Sequence, residues 1–169
     1  MFEHVVAVRK ETLDKKDHFR LTSEHELARA YLNDQRIKEA IEMFEHVVAV
    51  GKETLDEKDH FRLASEHELA SAYLDDRRIK EAIEIFEHVV AVEKEILDEK
   101  DHFRLTSEHE LARAYLNDQR IKEAIELLEH VVTIEAKTLA EDDPSRQLST
   151  SLLQDCFESL EADYDANNV

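Results

Sequence analysis

Apolar residues of this chain recur at steps of three and four, the spacing that places side chains on one face of an α-helix. One long run of this kind extends from Ile79 to Leu97, with apolar residues at Ile79, Ala82, Ile83, Phe86, Val89, Val90 and Leu97. A shorter run precedes it, with apolar residues at Phe61, Leu69, Ala70, Ala72, Tyr73 and Leu74. The pattern predicts two amphipathic helices, which we name helix A (the shorter run) and helix B (the longer run).

The same pair of helices is encoded repeatedly. MFEHVVAV begins at residues 1 and 43, IFEHVVAV at 85 and LLEHVVTI at 127, so the period is 42 residues. Self-similarity at a period of about 20–50 residues is typical of solenoids, in which each unit buries its apolar face by stacking on its neighbours. We therefore predict an all-α protein, an α-solenoid of antiparallel helix pairs with eight helices in the order B-A-B-A-B-A-B-A. It forms a single array over 1–169, with copies at 1–42, 43–84, 85–126 and 127–168.

Composition supports this all-helical reading and locates the starts of helices A. The chain has a single Gly and a single Pro, so residues that break helices are almost absent. In the fourth copy, Asp143-Pro144 aligns with Asp59-His60, and an acidic residue followed by proline is a typical helix N-terminus. The alignment predicts N-caps at Asp17, Asp59 and Asp101.

The charge balance excludes two classes of partner. The chain has 22 Lys and Arg against 41 Asp and Glu, a net charge of −19. Nucleic acids and anionic membranes both require a basic surface, so we expect neither as a ligand. Cys156 is the single cysteine, and neither a membrane span of about 18 apolar residues nor a signal peptide is evident. We expect a cytoplasmic protein.

The stretch LASAYLDDRRIKEAIEIFEHV (69–89) carries residues in a family-specific order: Leu69, Ala70, Tyr73, Ala82, Phe86 and Val89. This order resembles the tetratricopeptide repeat. The 42-residue period is similar to that of kinesin light chain repeats. Through EHVVAV, KETLDEKDH and HELARAYL, the chain resembles still more closely the terminal repeat arrays of fungal nucleotide-binding (NLR-type) receptors. The resemblance covers essentially the whole chain. It implies a right-handed superhelix and a non-enzymatic scaffold for protein interactions, which needs no cofactor and could belong to a larger receptor.

Three features depart from the family pattern. Gln35, Arg77 and Gln119 stand where the family usually has Gly between helices A and B, so either the turn differs or about 1 kcal/mol is lost at each. The family's Asp-His-Pro or Asp-Asp-Pro before helix A is Asp-His-Phe in three copies. Glu24, Glu66 and Glu108 replace a large aromatic residue of the 34-residue repeats, which favours the 42-residue class.

The resemblance also implies a ligand groove, because helices A of the family line the concave surface. Helical spacing independently places positions such as 64, 67, 68, 71 and 75 on one face. The predicted groove consists of Thr22, His25, Glu26, Arg29, Asn33, Ala64, His67, Glu68, Ser71, Asp75, Thr106, His109, Glu110, Arg113 and Asn117. We expect it to bind a peptide or protein segment.

The second copy differs from the third at seven positions, three of which lie in this groove. It has Ala64, Ser71 and Asp75 where the third copy has Thr, Arg and Asn. Loss of an arginine and gain of an aspartate make the middle of the groove more acidic. A basic residue is therefore the predicted partner at this point.

Ten histidines recur at fixed places in the repeat, which raises the question of a metal site. His60 and His67 lie seven residues apart, whereas a helical pair of zinc ligands is usually spaced i, i+4 and needs further ligands. We expect surface or partly packed histidines and no metal.

The segment Ser65-Glu66-His67-Glu68 contains the residue types of a hydrolase site. Residues two apart on a helix point about 200° apart, so Ser65 and His67 cannot form a nucleophile–base pair. Cys156 aligns with the small residue Ala114, which indicates a packed thiol. We expect no enzymatic activity.

The two ends of a solenoid must cover its apolar faces. In the last helix, 144–163, we expect Leu153 and Phe157 to point inward and polar residues to form a cap. The first helix B has no helix A before it, so Phe2, Val5 and Val6 are expected to remain exposed. This predicts self-association into a homodimer through the first helix, unless the chain is part of a longer array.

Overall fold

The computed structural model describes residues 2–167, with side chains described for 3–162. All regular secondary structure in this part of the chain is helical. The eight helices are α1 (Phe2–Thr12), α2 (His18–Asn33), α3 (Ile37–Thr54), α4 (His60–Asp75), α5 (Ile79–Ile96), α6 (His102–Asn117), α7 (Ile121–Thr138) and α8 (Pro144–Asn167). Odd-numbered helices are helices B and even-numbered helices are helices A. The predicted all-α class and helix order are confirmed.

The chain divides into two compact units, Met1–Ile85 and Phe86–Val169, and the division falls within α5. In the first unit α1, α2, α3 and α4 pack in succession, and the two helices A, α2 and α4, also contact each other. In the second unit α6, α7 and α8 pack in succession, and α6 contacts α8. Short turns make successive helices antiparallel. The predicted solenoid of helix pairs is confirmed, while the single array over 1–169 stays a prediction.

Helices B supply the large side chains of both cores. Phe44 and Val47 of α3 are fully buried in the first unit, as are Leu128 and Val131 of α7 in the second. Alanine is fully buried at matching positions of both helix types: Ala28, Ala40, Ala70, Ala82, Ala112 and Ala124. A small residue at each of these positions lets neighbouring helices approach closely, which fixes the places where larger side chains pack.

Aspartates begin the helices A, as the alignment predicts. The side chain of Asp17 accepts hydrogen bonds from the backbone N–H groups of Phe19 and Arg20, and Asp59 does the same at α4. Asp101 accepts from Phe103 N in α6. At α8 the Asp143 Oδ1 atom lies 2.9 Å from Ser145 N. Each cap satisfies N–H groups that the first turn of a helix leaves unpaired.

The turns from helix A to helix B keep the usual backbone path without glycine. Gln35, Arg77 and Gln119 have φ values of 59°, 61° and 62°, in the left-handed region. Around Gln35 the N–H of Arg36 donates to Tyr31 O (2.8 Å) and that of Gln35 to Leu32 O (2.9 Å), the two bonds of a Schellman motif. The turn therefore does not differ from that of the family. Instead, each left-handed non-glycine residue lowers the stability of the fold by about 1 kcal/mol.

One buried contact between helix B and the next helix A differs from copy to copy. Arg9 donates to the hydroxyl of Ser23 in the first copy. At the equivalent position the third and fourth copies have Glu93 and Glu135, which hydrogen-bond to Ser107 and Ser149. The second copy has Gly51, so its serine has no such partner at this position.

Candidate functional site

The predicted groove residues of the first unit lie along α2 and α4, and we call this surface, with its counterpart on α6, the helix-A face. Arg29, Asn33, Ala64 and Asp75 are exposed there. Six are half-buried or buried: Thr22, His25, Glu26, His67, Glu68 and Ser71. The face of the first unit therefore presents mainly charged and amide groups, which suits hydrogen bonding to a peptide more than apolar contact.

Arg29 connects the two helices A of the first unit. Its Nε atom lies 3.3 Å from Glu68 Oε1 on α4, and its Nη1 atom lies 3.6 Å from Glu26 Oε1 on α2. Burial raises the pKa of the Glu68 carboxyl, and this effect outweighs the lowering by the nearby guanidinium. The Arg29 side chain is half exposed, so the pair contributes at most about 1 kcal/mol, and Arg29 can exchange its partners for those of a ligand at little cost.

His25 lies beneath this face, not on it. It is 7% exposed, and its ring packs against Phe44 and Phe61 at centroid distances of 5.4 and 5.5 Å. Its Nδ1 atom is 3.0 Å from Ser65 Oγ, whose hydroxyl donates to Phe61 O, so the imidazole must be the donor of that bond. Burial lowers the pKa of His25 and favours the neutral ring. The expectation that His25 lines the groove is corrected: the ring supports the groove from below.

The helix-A face of the second unit is built from α6. Its predicted groove residues bond mainly to other residues of the same helix, whereas Arg29 of the first unit also pairs with the neighbouring helix A. Arg113 Nη2 lies 2.6 Å from Glu110 Oε2 on the same helix, and Asn117 Nδ2 donates to Arg113 O. The Thr106 hydroxyl donates to the backbone O of His102. His109 Nδ1 lies 3.0 Å from Ser149 Oγ of α8, and burial lowers the pKa of the imidazole.

Comparison with known proteins identifies the family. Two models described as tetratricopeptide repeat match residues 20–62 and 61–136. The crystal structure of the Podosopora anserina putative kinesin light chain nearly identical TPR-like repeats is 43% identical, with 99% of this chain and 79% of that chain covered and a TM-score of 0.84. This chain belongs to the tetratricopeptide repeat family. None of the curated proteins matches significantly.

More distant solved structures share the fold alone. BtubC (BKLC) from P. vanneervenii is 17% identical over 95% of this chain and 64% of that chain, with a TM-score of 0.81. The first TPR of Spaghetti (RPAP3), bound to the HSP90 peptide SRMEEVD, is 16% identical over 86% of this chain and 96% of that chain, with a TM-score of 0.63. Neither family model that matches is that of a catalytic family.

Glu108 is the centre of a buried ion-pair cluster in this tetratricopeptide repeat protein. It stands where the 34-residue repeats of the family have a large aromatic residue. Glu108 is fully buried in the second unit, 3.2 Å from Arg104 Nε, 3.5 Å from Lys94 Nζ and 2.8 Å from His130 Nδ1. These partners come from α6, α5 and α7, so one carboxylate connects three helices. Sequence reasoning missed this cluster.

The first unit repeats the arrangement. Glu24 lies 3.0 Å from Arg20 Nε, 3.8 Å from Lys10 Nζ and 2.9 Å from His46 Nδ1. In the fourth copy Ala136 and Thr150 take the places of the lysine and the glutamate together. This joint loss is the sequence signal from which the pairing could have been found.

Chemical groups that would indicate catalysis or metal binding are packed into the fold. Ser149 contacts both His109 and Glu135, but Ser149 is 2% exposed and its hydroxyl lies between the other two groups, out of reach of a substrate. Cys156 is fully buried, as its alignment with alanine predicts, and burial raises the pKa of its thiol.

Within residues that the structure describes, no three His, Cys, Asp or Glu side chains converge as metal ligands. Among the same residues, no helix combines the length and the apolar character that spanning a bilayer requires.

Two expectations about the terminal helices are wrong. Val6 of α1 is 3% exposed, so it belongs to the core and cannot form an intermolecular contact; Val5 is half-buried, and the Phe2 side chain lies outside the described residues. Phe157 of α8, predicted to point inward, is 42% exposed. Its equivalent in α6, Tyr115, is buried, so the two copies differ at this position, whereas Cys156 is buried as its equivalent Ala114 is.

Proposed function

We propose that this tetratricopeptide array is a non-enzymatic interaction scaffold that binds an extended peptide or protein segment on its helix-A face. The observation that carries the proposal is the half-exposed Arg29 side chain, which lies between the carboxylates of Glu26 and Glu68. Such a group can donate to the carbonyl oxygens of a ligand while the carboxylates it releases accept from the ligand. We further propose a cytoplasmic setting and, from the resemblance to fungal receptors, a role as the sensing part of a longer protein.

The charge of the face supports a basic ligand. In the first unit Glu26, Glu68 and Asp75 oppose only Arg29 among the predicted groove residues. Ser71 stands where the neighbouring copies have arginine, so Glu68 takes its cation from α2. A lysine or arginine of the bound segment therefore gains carboxylate partners near α4, and negative charge on the whole chain assists its approach.

The test is selection of random peptides on the immobilised protein, followed by affinity measurements on matched variants. Arg29→Ala with Arg113→Ala removes two cations from the helix-A face. Lys38→Ala with Lys122→Ala removes two exposed cations from equivalent positions of α3 and α7, with the same change in net charge. We expect the selected peptides to be rich in Lys and Arg. Their affinity should fall by about fivefold in the arginine variant, because the hydrogen bonds that Arg29 and Arg113 donate to carbonyl groups of the ligand are lost. This loss outweighs the removal of two like charges, whose repulsion of a basic peptide is largely screened at the surface.

The control variant should bind these peptides as wild type does. Equal affinity for wild type and both variants would contradict the helix-A face as the binding surface. Selection of acidic peptides would contradict the charge assignment while leaving the surface in place.

Self-association through α1 is a second candidate, and its support is the 43% exposure of Val8. Because Val6 is buried, Val5, Ala7 and Val8 are the described apolar residues of α1 that a second copy could cover. Light scattering over about a hundredfold range of concentration should show a dimer that Val8→Lys dissociates. A constant monomer mass would eliminate this function.

A further inference from the structure

A cavity of about 480 Å³ lies in the second unit between the two helices B, α5 and α7, with α6 as its floor. Its volume lies within the range of about 300–1,000 Å³ that is typical of ligand pockets. The α6 residues that line it are Arg104, Leu111 and Tyr115. None of the predicted groove residues of α6 lines this cavity, so it opens on a different side of the helix from the helix-A face. We call it the helix-B pocket.

The helix-B pocket is divided chemically along its length. Val90, Ala91 and Leu127 line its apolar middle. One end holds Lys94, Arg104 and His130, and all three contact the buried Glu108, so these groups are already paired within the protein. The other end holds the acidic side chains of Glu87, Glu123 and Glu126.

At the acidic end, the carboxylates carry more negative charge than the neighbouring cationic side chains neutralise. Arg120 lies 3.3 Å from Glu87 Oε1 and 2.7 Å from Glu123 Oε1, and Tyr115 Oη donates to Glu87. These contacts leave two carboxylates with one guanidinium. Glu126 is exposed and forms no hydrogen bond or ion pair with any residue that the structure describes.

We propose that the helix-B pocket binds a lysine or arginine side chain of a partner protein. The aliphatic part of that side chain lies along Ala91 and Leu127, and its cationic end faces Glu126 and Glu123. An apolar stem with a charged tip matches a pocket whose middle is apolar and whose one end is acidic. The helix-B pocket shares no residues of α6 with the helix-A face. The proposal therefore holds even if the helix-A face binds no peptide.

The same pocket residues recur 84 positions earlier in the first unit. The residues that line the pocket correspond there to Glu3, Val6, Ala7, Lys10, Arg20, Leu27, Tyr31, Glu39, Glu42, Met43 and His46, and Met43 is the one change in type. Their contacts also recur, since Tyr31 Oη donates to Glu3 and Arg36 pairs with both Glu3 and Glu39. The first unit therefore offers a basic side chain the same residue types.

The experiment titrates the intact protein with three short homo-oligomers of equal length. Oligolysine has both stem and charge, oligo-diaminopropionate has the charge on a short stem, and oligo-acetyl-lysine has a long stem without charge. Leu127 corresponds to Ile85 and Met43 in the earlier copies, so its leucine methyl NMR signals distinguish this pocket from the equivalent positions. We expect oligolysine to shift them and to bind about fivefold more tightly than either analogue.

The matched variants are Glu126→Gln at the acidic end and Glu141→Gln in the exposed turn between α7 and α8, which change net charge equally. Glutamine preserves helix propensity at the exposed position 126, so the fold is retained. We expect Glu126→Gln to weaken oligolysine binding about threefold to fivefold and Glu141→Gln to leave it unchanged. Equal effects of the two variants, equally tight oligo-diaminopropionate, or an unshifted Leu127 signal would each overturn the proposal. Arg29→Ala with Arg113→Ala should not weaken this binding, which separates this site from the helix-A face.

Discussion

The guanidinium carbon of Arg120 lies 4.0 Å from the centroid of the Tyr115 ring. The backbone of the same two residues is joined by a bond from Arg120 N to Tyr115 O, which closes the turn between α6 and α7. Equivalent stacks occur between Arg36 and Tyr31 and between Arg78 and Tyr73. A cation–π contact of this kind contributes about 0.5–1 kcal/mol, which offsets much of the strain of a left-handed non-glycine residue.

Replacing Gln119 by glycine should stabilise the protein. Gln119 has a φ of 62°, which glycine adopts without steric cost, although glycine also gains entropy in the unfolded chain. We expect a net increase of about 0.5 kcal/mol in the free energy of unfolding, measured by urea denaturation. Gln119→Ala retains the strain and should give no increase. A gain from alanine equal to that from glycine would show that the left-handed geometry is not the source of strain.

Gly51→Ala should also stabilise the protein, for a different reason. Gly51 lies within α3, where glycine costs about 1 kcal/mol relative to alanine. A Cβ atom added there would lie 4.0 Å from Arg62 Cγ and 4.0 Å from Leu55 Cδ1, which is ordinary van der Waals contact. We expect a higher thermal midpoint and about 1 kcal/mol of added stability. A lower midpoint would mean that the helices pack more closely at Gly51 than this structure has them.

Glu108→Gln should destabilise the second unit strongly. The change leaves Arg104, whose side chain is 14% exposed, without its carboxylate partner and removes the contact with His130. Breaking a buried ion pair from one side costs about 3 kcal/mol. Glu129→Gln, at an exposed position of α7, is the control and should change stability little. Unfolding free energies within error of each other for the two variants would show that the cluster contributes no net stability.

The stability of the protein should depend on pH through Glu93. Burial raises the pKa of its carboxyl from 4.5 to about 7, and the hydrogen bond to Ser107 opposes this shift only in part. The folded chain thus holds this proton more tightly than the unfolded chain. The resulting stability is complete below about pH 4.5 and is lost as the pH rises through about 7.

The measurement for Glu93 is urea denaturation at several values between about pH 4.5 and pH 8, on wild type and Glu93→Gln. Glutamine stays neutral, so the variant should lack a decline of about 2–3 kcal/mol over this range. Glu99→Gln, in the exposed turn after α5, should keep the wild-type decline. Parallel pH profiles for wild type and Glu93→Gln would contradict the assignment.

Much of the fold could be predicted from the sequence because its signals are local and repeated. The spacing of apolar residues predicted both helices, and the alignment of Asp143-Pro144 with the other copies predicted the caps at Asp17, Asp59 and Asp101. These features depend on a few neighbouring residues. The 42-residue period then extended each of them to the other copies.

The predictions that did not hold depend on contacts between distant residues. In a chain of net charge −19, an acidic residue at a helical position is expected to be solvated, so the burial of Glu108 was not foreseen. The lack of a helix A before the first helix B suggested that Val6 is exposed, and alignment with Tyr115 suggested that Phe157 points inward, but Val6 is buried and Phe157 is exposed. The helix-B pocket has residues from three helices and no contiguous motif, so only the structure brings them together.

In each repeat, one residue near the end of helix B lies next to the serine of the following helix A. The identity of this residue affects how a chain of similar repeats reaches a single fold. Copies this similar are close to interchangeable during folding, and helices from different copies can compete for the same place. At this position Arg9, Gly51 and Glu93 differ in size and in charge, which lessens that equivalence. One position per repeat thus distinguishes the first, second and third copies where helix B meets the next helix A, and it does not separate the third copy from the fourth.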